Sequence, residues 1–62
     1  MPLNLKKVRL LMNGRTQTDV AAAAKMWQPA LARILAGTFD PKLSTVERLA
    51  EALRCSVKDI LN

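Results

Sequence analysis

Histidine and tyrosine are missing from this 62-residue chain, and cysteine, tryptophan and phenylalanine occur once each. A single thiol, Cys55, cannot close an intramolecular disulfide, and without histidine or a second cysteine no zinc site of the usual ligand types can be assembled. The same gaps, with no clustered carboxylates, leave no acid–base or nucleophilic constellation, so no enzyme, cofactor or small-molecule substrate is expected. With Trp27 and Phe39 as the only aromatics, a sheet is not expected and an all-α fold is. No apolar run approaches the roughly 18 residues of a membrane span. Lys6, Lys7 and Arg9 interrupt the N-terminal apolar stretch, so no signal peptide is expected and the cytoplasm is the default location.

Acidic residues are also scarce, and unevenly so. Ten basic residues against five acidic ones give a net charge of +5 and a sequence pI near 10.2. Before Leu43 the only acids are Asp19 and Asp40, set against Lys6, Lys7, Arg9, Arg15, Lys25, Arg33 and Lys42. From Leu43 onward Glu47, Glu51 and Asp59 balance Arg48, Arg54 and Lys58. The front of the chain therefore carries the positive field, which favours a polyanionic partner, although a generally basic surface accounts for the same total.

What is present is a series of short amphipathic segments. Half of the residues are hydrophobic, enough for one modest core and a single domain over residues 1–62. A core of that size stabilises by only a few kcal/mol, so support from a partner subunit or from a polyanionic partner is expected. Leu3 to Asn13 reads as a first helix, with Leu5, Val8, Leu11 and Met12 on one side and Lys6, Arg9 and Asn13 on the other; Asn13-Gly14 ends it. Leu3 and Leu10 fall toward the wetter side. A basic amphipathic helix can lie on a membrane surface, but four further cap-bounded segments need a shared core and make packing the simpler account.

The second helix, Gln17 to Met26, opens with a Thr16/Asp19 capping box and carries Val20, Ala21 and Ala24 on its apolar stripe. The third, Gln28 to Leu35, repeats that period with Leu31, Ile34 and Leu35. Trp27 is its expected N-cap, Met26 and Leu31 stand in the hydrophobic-staple relation, and Pro29 falls in the first turn, where a missing N–H costs nothing. Gly37 fits a C-terminal stop. Two helices that cross steeply need a small residue where their backbones approach, and Ala21 meets that need. Phe39 is expected to anchor the following loop, which contains Asp40 and Pro41. A fourth helix, Thr45 to Leu53, has Val46, Leu49, Ala50 and Leu53 as its stripe and Ser44/Glu47 as its capping box. Ser56/Asp59 supplies a third box for a last short helix, Val57 to Leu61. Cys55, between an apolar helix and that cap, is expected to be a buried structural thiol rather than a redox sensor. Val57, Ile60 and Leu61 either complete the core or form a weak dimer face.

Gln17 opening the second helix, Ala21 at the small packing position, Met26 closing the turn, Leu31 and Ile34, Gly37, Pro41 and Leu49-Ala50-x-x-Leu53 together resemble the Cro/CI-type helix-turn-helix repressors, the XRE family. The resemblance spans about Val8 to Leu61. It implies a five-helix lambda-repressor-like domain in which helices two and three form the helix-turn-helix, and the size is similar to that of phage Cro proteins. Two residues depart from the pattern. Lys25 stands where the family usually has glycine, and Trp27 where it prefers a small hydroxyl cap; a non-glycine held at positive φ costs roughly 1 kcal/mol.

In a helix-turn-helix the N-terminal residues of the second motif helix meet base edges in the major groove. Gln28, Pro29, Ala32 and Arg33 are accordingly the expected base-contacting residues. A glutamine amide matches adenine, Arg33 suits either guanine or a phosphate, and the methyl of Ala32 suits thymine; Ala30 is better explained by helix propensity. Gln17, Thr16, Thr18, Arg15, Lys25, Trp27, Arg9 and Lys42 are expected along the DNA backbone, Gln17 at a helix N-terminus that itself favours an anion. For Trp27 the alternative, burial against Met26 and the first helix, is the usual fate of a lone tryptophan. The expected function is sequence-specific binding of a double-stranded operator as a weak homodimer and transcriptional repressor, cytoplasmic and nucleoid-associated. The other reading is a protein-interaction module such as the antitoxin of a toxin–antitoxin pair, which ordinarily needs an added segment to cover its partner.

Overall fold

Local capping chemistry sets where the chain turns into helix. The structure, a computed structural model, describes residues 3–62. Four α-helices are present among them, α1 (Leu5–Met12), α2 (Gln17–Ala23), α3 (Gln28–Leu35) and α4 (Leu43–Ala52), followed by one 3-10 turn, Val57–Asp59. The all-α expectation holds, with a correction: the fifth helix is a single 3-10 turn. Its Ser56/Asp59 capping box is complete, but after Asp59 the chain turns to pair with its own beginning. The Asn4 amide donates to the Ile60 carbonyl at 2.8 Å, and Leu3 and Leu61 form an isolated antiparallel bridge. A continuing helix would forfeit that tie.

Helix α1 starts two residues later than the hydrophobic pattern suggests, because the Asn4 side chain accepts from the Lys7 amide and acts as N-cap. Thr16 caps α2 through the Asp19 amide at 3.1 Å. Helix α4 begins at Leu43, not Thr45, with extended Lys42 as its N-cap and no side-chain cap bond. The Ser44/Glu47 box therefore does not start it. Pro41 lies buried just ahead, and Lys42 follows it with φ −72° and ψ 161°, so helical geometry begins at the next residue.

Helices α2, α3 and α4 end alike, in a paired Schellman arrangement. Lys25 and Met26 donate to the carbonyls of Ala22 and Ala21, Gly37 and Thr38 to those of Ile34 and Arg33, and Arg54 and Cys55 to those of Glu51 and Ala50. That closure requires positive φ at Lys25 (55°), Gly37 (79°) and Arg54 (58°). Only one of the three is glycine. Helix α2 consequently stops at Ala23, earlier than Met26, and the turn into α3 is built on Lys25.

Helix α2 packs against both α3 and α4, and α4 supports the 3-10 turn. Val8, Val20, Leu31, Val46, Leu49 and Ile60 are fully enclosed, one or more from each element and its flanks. Ala21 and Ala24 are 2% exposed, as close backbone approach demands. Ile60 completes the core, with Val57 and Leu61 packed against it, and so does Leu3, which the helical wheel had placed on the wetter side. Leu10 does project outward, 70% exposed, and Leu11 is less enclosed than its stripe suggests. Phe39 is not the loop's anchor: it is 49% exposed and borders a shallow groove with Leu3, Leu5 and Ile34, while Pro41 is the buried residue of that loop. Cys55 is half-buried against the core, and burial, with the nearby charge of Asp59, raises its thiol pKa above the ordinary value. None of the described helices is long and apolar enough to cross a membrane.

Candidate nucleic-acid interface

The site is built on α3. Trp27 is its N-cap, in extended conformation and without a side-chain cap bond, and Pro29 sits in the first turn. Leu31, Ile34 and Leu35 face inward and are at most 3% exposed. Helical geometry then forces the intervening residues outward. Gln28, Pro29, Arg33 and Ala36 are exposed and Ala32 is half-buried, so positions 28, 29, 32, 33 and 36 form one continuous ridge. The helix contains no acidic residue. The ridge is thus narrow, neutral to basic and uncovered by any other described element.

Its two ends are held from different directions. At the N-terminal end, Nε2 of Gln28 donates to Oε1 of Gln17 at 3.3 Å, joining the first residues of α2 and α3. Met26, half-buried, joins the core that contains Leu31, which fits the staple relation. At the C-terminal end, the Arg9 guanidinium donates to the Leu35 carbonyl at 2.9 Å. Arg15 does the same for the last residue of α4, donating to the Ala52 carbonyl at 2.8 Å. Each arginine is tethered by that bond, Arg9 remaining exposed and Arg15 half-buried.

The remaining expected contacts distribute around the ridge. Thr16 and Thr18 are exposed and Gln17 is half-buried at the start of α2, beside Gln28. Lys25 is exposed in the turn between the two motif helices, and Lys42 is exposed at the start of α4. Trp27 is 80% exposed, which corrects the expectation that a lone tryptophan would be buried: as N-cap it precedes the first inward-facing position of α3, and Met26 takes the core site beside it.

Three features were not foreseen from sequence: the Gln17–Gln28 pair and the two arginine–carbonyl bonds. The glutamine pair was accessible in principle, since each residue opens a helix of the same motif. The arginine bonds join residues 26 and 37 positions apart, and no local pattern signals them.

Comparison with known proteins adds one match. A family model described as helix-turn-helix covers residues 5–60, from the start of α1 to the residue that closes the core. No curated protein and no solved structure matches the chain.

Proposed function

Because this chain belongs to the helix-turn-helix family of DNA-binding transcription regulators, in its XRE-type form, we propose that it reads an operator in the major groove with the ridge of α3. On this reading residues 3–62 act as one DNA-binding unit, a Cro-like repressor that binds as a weak homodimer on two half-sites one helical turn apart. Its working location is then the cytoplasm, at the nucleoid.

The observation that carries the reading is the uncovered, acid-free ridge with Gln28 fixed at its leading end. One Nε2–H of Gln28 goes to Gln17. The other Nε2–H and the free Oε1 are left to pair with adenine, donating to N7 and accepting from the N6 amino group. Gln17 therefore orients the amide before any base is met. Arg33, a turn further on, can donate to guanine O6 and N7, while Pro29 and the Ala32 methyl offer apolar contacts to a thymine methyl. Gln17, Thr16, Thr18, Lys25, Lys42 and the indole N–H of Trp27 are the groups we assign to phosphates. Such contacts set register and affinity without reading sequence.

Gln28→Ala tests the assignment. A bidentate contact to a base represents about 1–3 kcal/mol of discrimination, so the variant should lose that much affinity for a selected duplex and almost none for random DNA. Equal losses on both would remove Gln28 from base reading.

A further inference from the structure

At the C-terminal end of α3 the Leu35 carbonyl is satisfied from outside the helix. The amides of Gly37 and Thr38 take the carbonyls of Ile34 and Arg33, and the Ala36 amide takes that of Ala32. The Leu35 carbonyl is among those a helix cannot satisfy internally, and it receives Arg9. A guanidinium there also meets the negative end of the helix dipole. One turn earlier on the same face of α1 is Leu5, whose Cδ1 lies 3.6 Å from where a side chain at Gly37 would begin. Arg9 thus holds the last residue of α3 by a charged hydrogen bond, while Leu5, one turn earlier on α1, lines a groove with Ile34 and Gly37.

From these contacts we infer that Arg9 is a positioning residue for base reading and not a phosphate clamp: through the Leu35 carbonyl it fixes the tilt of α3 and so the placement of Arg33, Ala32 and Gln28. This rests on the proposal that α3 reads DNA. Eight residues make a lever of about 12 Å, short enough that a displaced last turn is carried rigidly along the whole ridge. Arg15, bound to the far end of α4, has no such lever on the reading helix.

The two roles differ in salt dependence. A phosphate contact contributes about −0.9 to the slope of log K against log salt, on specific and random duplexes alike. A positioning residue contributes nothing to that slope. The experiment is a salt titration of binding to a selected duplex and to a random one, for wild type, Arg9→Met, Arg9→Lys and the core control Val46→Ala, each well below its melting temperature. Arg9→Met is expected to reduce the ratio of specific to random affinity about tenfold, within the range that loss of one well-aligned base contact represents, with the slope unchanged. Arg9→Lys, which keeps the charge without the fork and serves if the methionine variant does not fold, is expected to lose a few-fold in the ratio at the same slope. Val46→Ala should lower the melting temperature and leave the ratio alone. A slope reduced by about 0.9 on both duplexes for Arg9→Met would overturn the inference. So would a wild-type ratio in Arg9→Lys, or a ratio that falls equally in Val46→Ala. A wild type that fails to distinguish the duplexes would instead remove the DNA-reading assignment, and this inference with it.

Discussion

Replacing Lys25 with glycine should stabilise the protein. Lys25 closes α2 at φ 55°, and its amide and that of Met26 complete the Schellman pair at 3.2 and 3.0 Å, so the conformation is dictated by the turn and not by the side chain. An L-residue in the left-handed region carries a strain of about 1–2 kcal/mol from the clash of its Cβ with the backbone. Glycine removes that clash and returns about 0.5–1 kcal/mol of it through the extra freedom of the unfolded chain. The net gain is about 0.5–1 kcal/mol. In a domain of this length each kcal/mol moves the melting temperature by about 4–8 °C, so thermal unfolding followed by circular dichroism should show a rise of about 2–8 °C. Lys25→Ala keeps the strain while removing the charge and should leave the melting temperature close to wild type. Arg54, at φ 58° after α4, should respond to glycine in the same direction. A melting temperature for Lys25→Gly at or below that of wild type and of Lys25→Ala would refute the strain argument. The same variant lacks a cation at the motif turn, so its DNA binding should weaken even as its fold strengthens.

Other consequences are equally direct. Leu31→Ala empties a site that is 0% exposed between α2 and α3, and a loss of about 2–5 kcal/mol is comparable to the whole stability expected of so small a core; urea titration should find the variant largely unfolded, and a cost under about 1 kcal/mol would show that the site collapses freely. Trp27, the sole tryptophan and 80% exposed, should be open to collisional quenching in the free protein and shielded on a selected duplex, whereas quenching unchanged by DNA would place it outside the interface. For Cys55 the folded thiol pKa is raised by burial and then by Asp59, so its contribution to stability is complete below the ordinary thiol pKa of about 8.5 and is lost as pH rises from there through the raised folded value, because the unfolded chain ionises first. Wild type should therefore lose stability relative to Cys55→Ala in alkaline urea titrations, and a pH-independent difference would contradict the assignment.

Helix α3 is the most legible part of the chain because its limits are set by neighbours in sequence. The Trp27-Gln28-Pro29 entry and the Gly37 exit act within a turn, and α3 occupies Gln28–Leu35 as they indicate. Two local signals misplace a boundary. The Ser44/Glu47 box is a sound pattern, yet the chain is already helical at Leu43, directly after extended Lys42, so the box falls inside α4. The last segment has a complete cap at Ser56, but the bond from Asn4 to Ile60 draws it out of helix after one turn. Around the candidate site, periodicity exposes Gln28 and Arg33 correctly, since the inward positions of an eight-residue helix leave no other choice. Whether Trp27 is covered, or whether Arg9 finds a carbonyl, depends on what other elements bring near, and spacing along one helix does not encode that.

The central claim, that the α3 ridge reads sequence, is tested most directly by selecting bound duplexes from a random pool. The account predicts an enriched two-fold-related site with half-site centres about 10–10.5 base pairs apart. It also predicts an adenine in each half that ceases to be preferred when the selection is repeated with Gln28→Ala. Recovery of the input pool without enrichment, or the same enriched site from wild type and the variant, would contradict it.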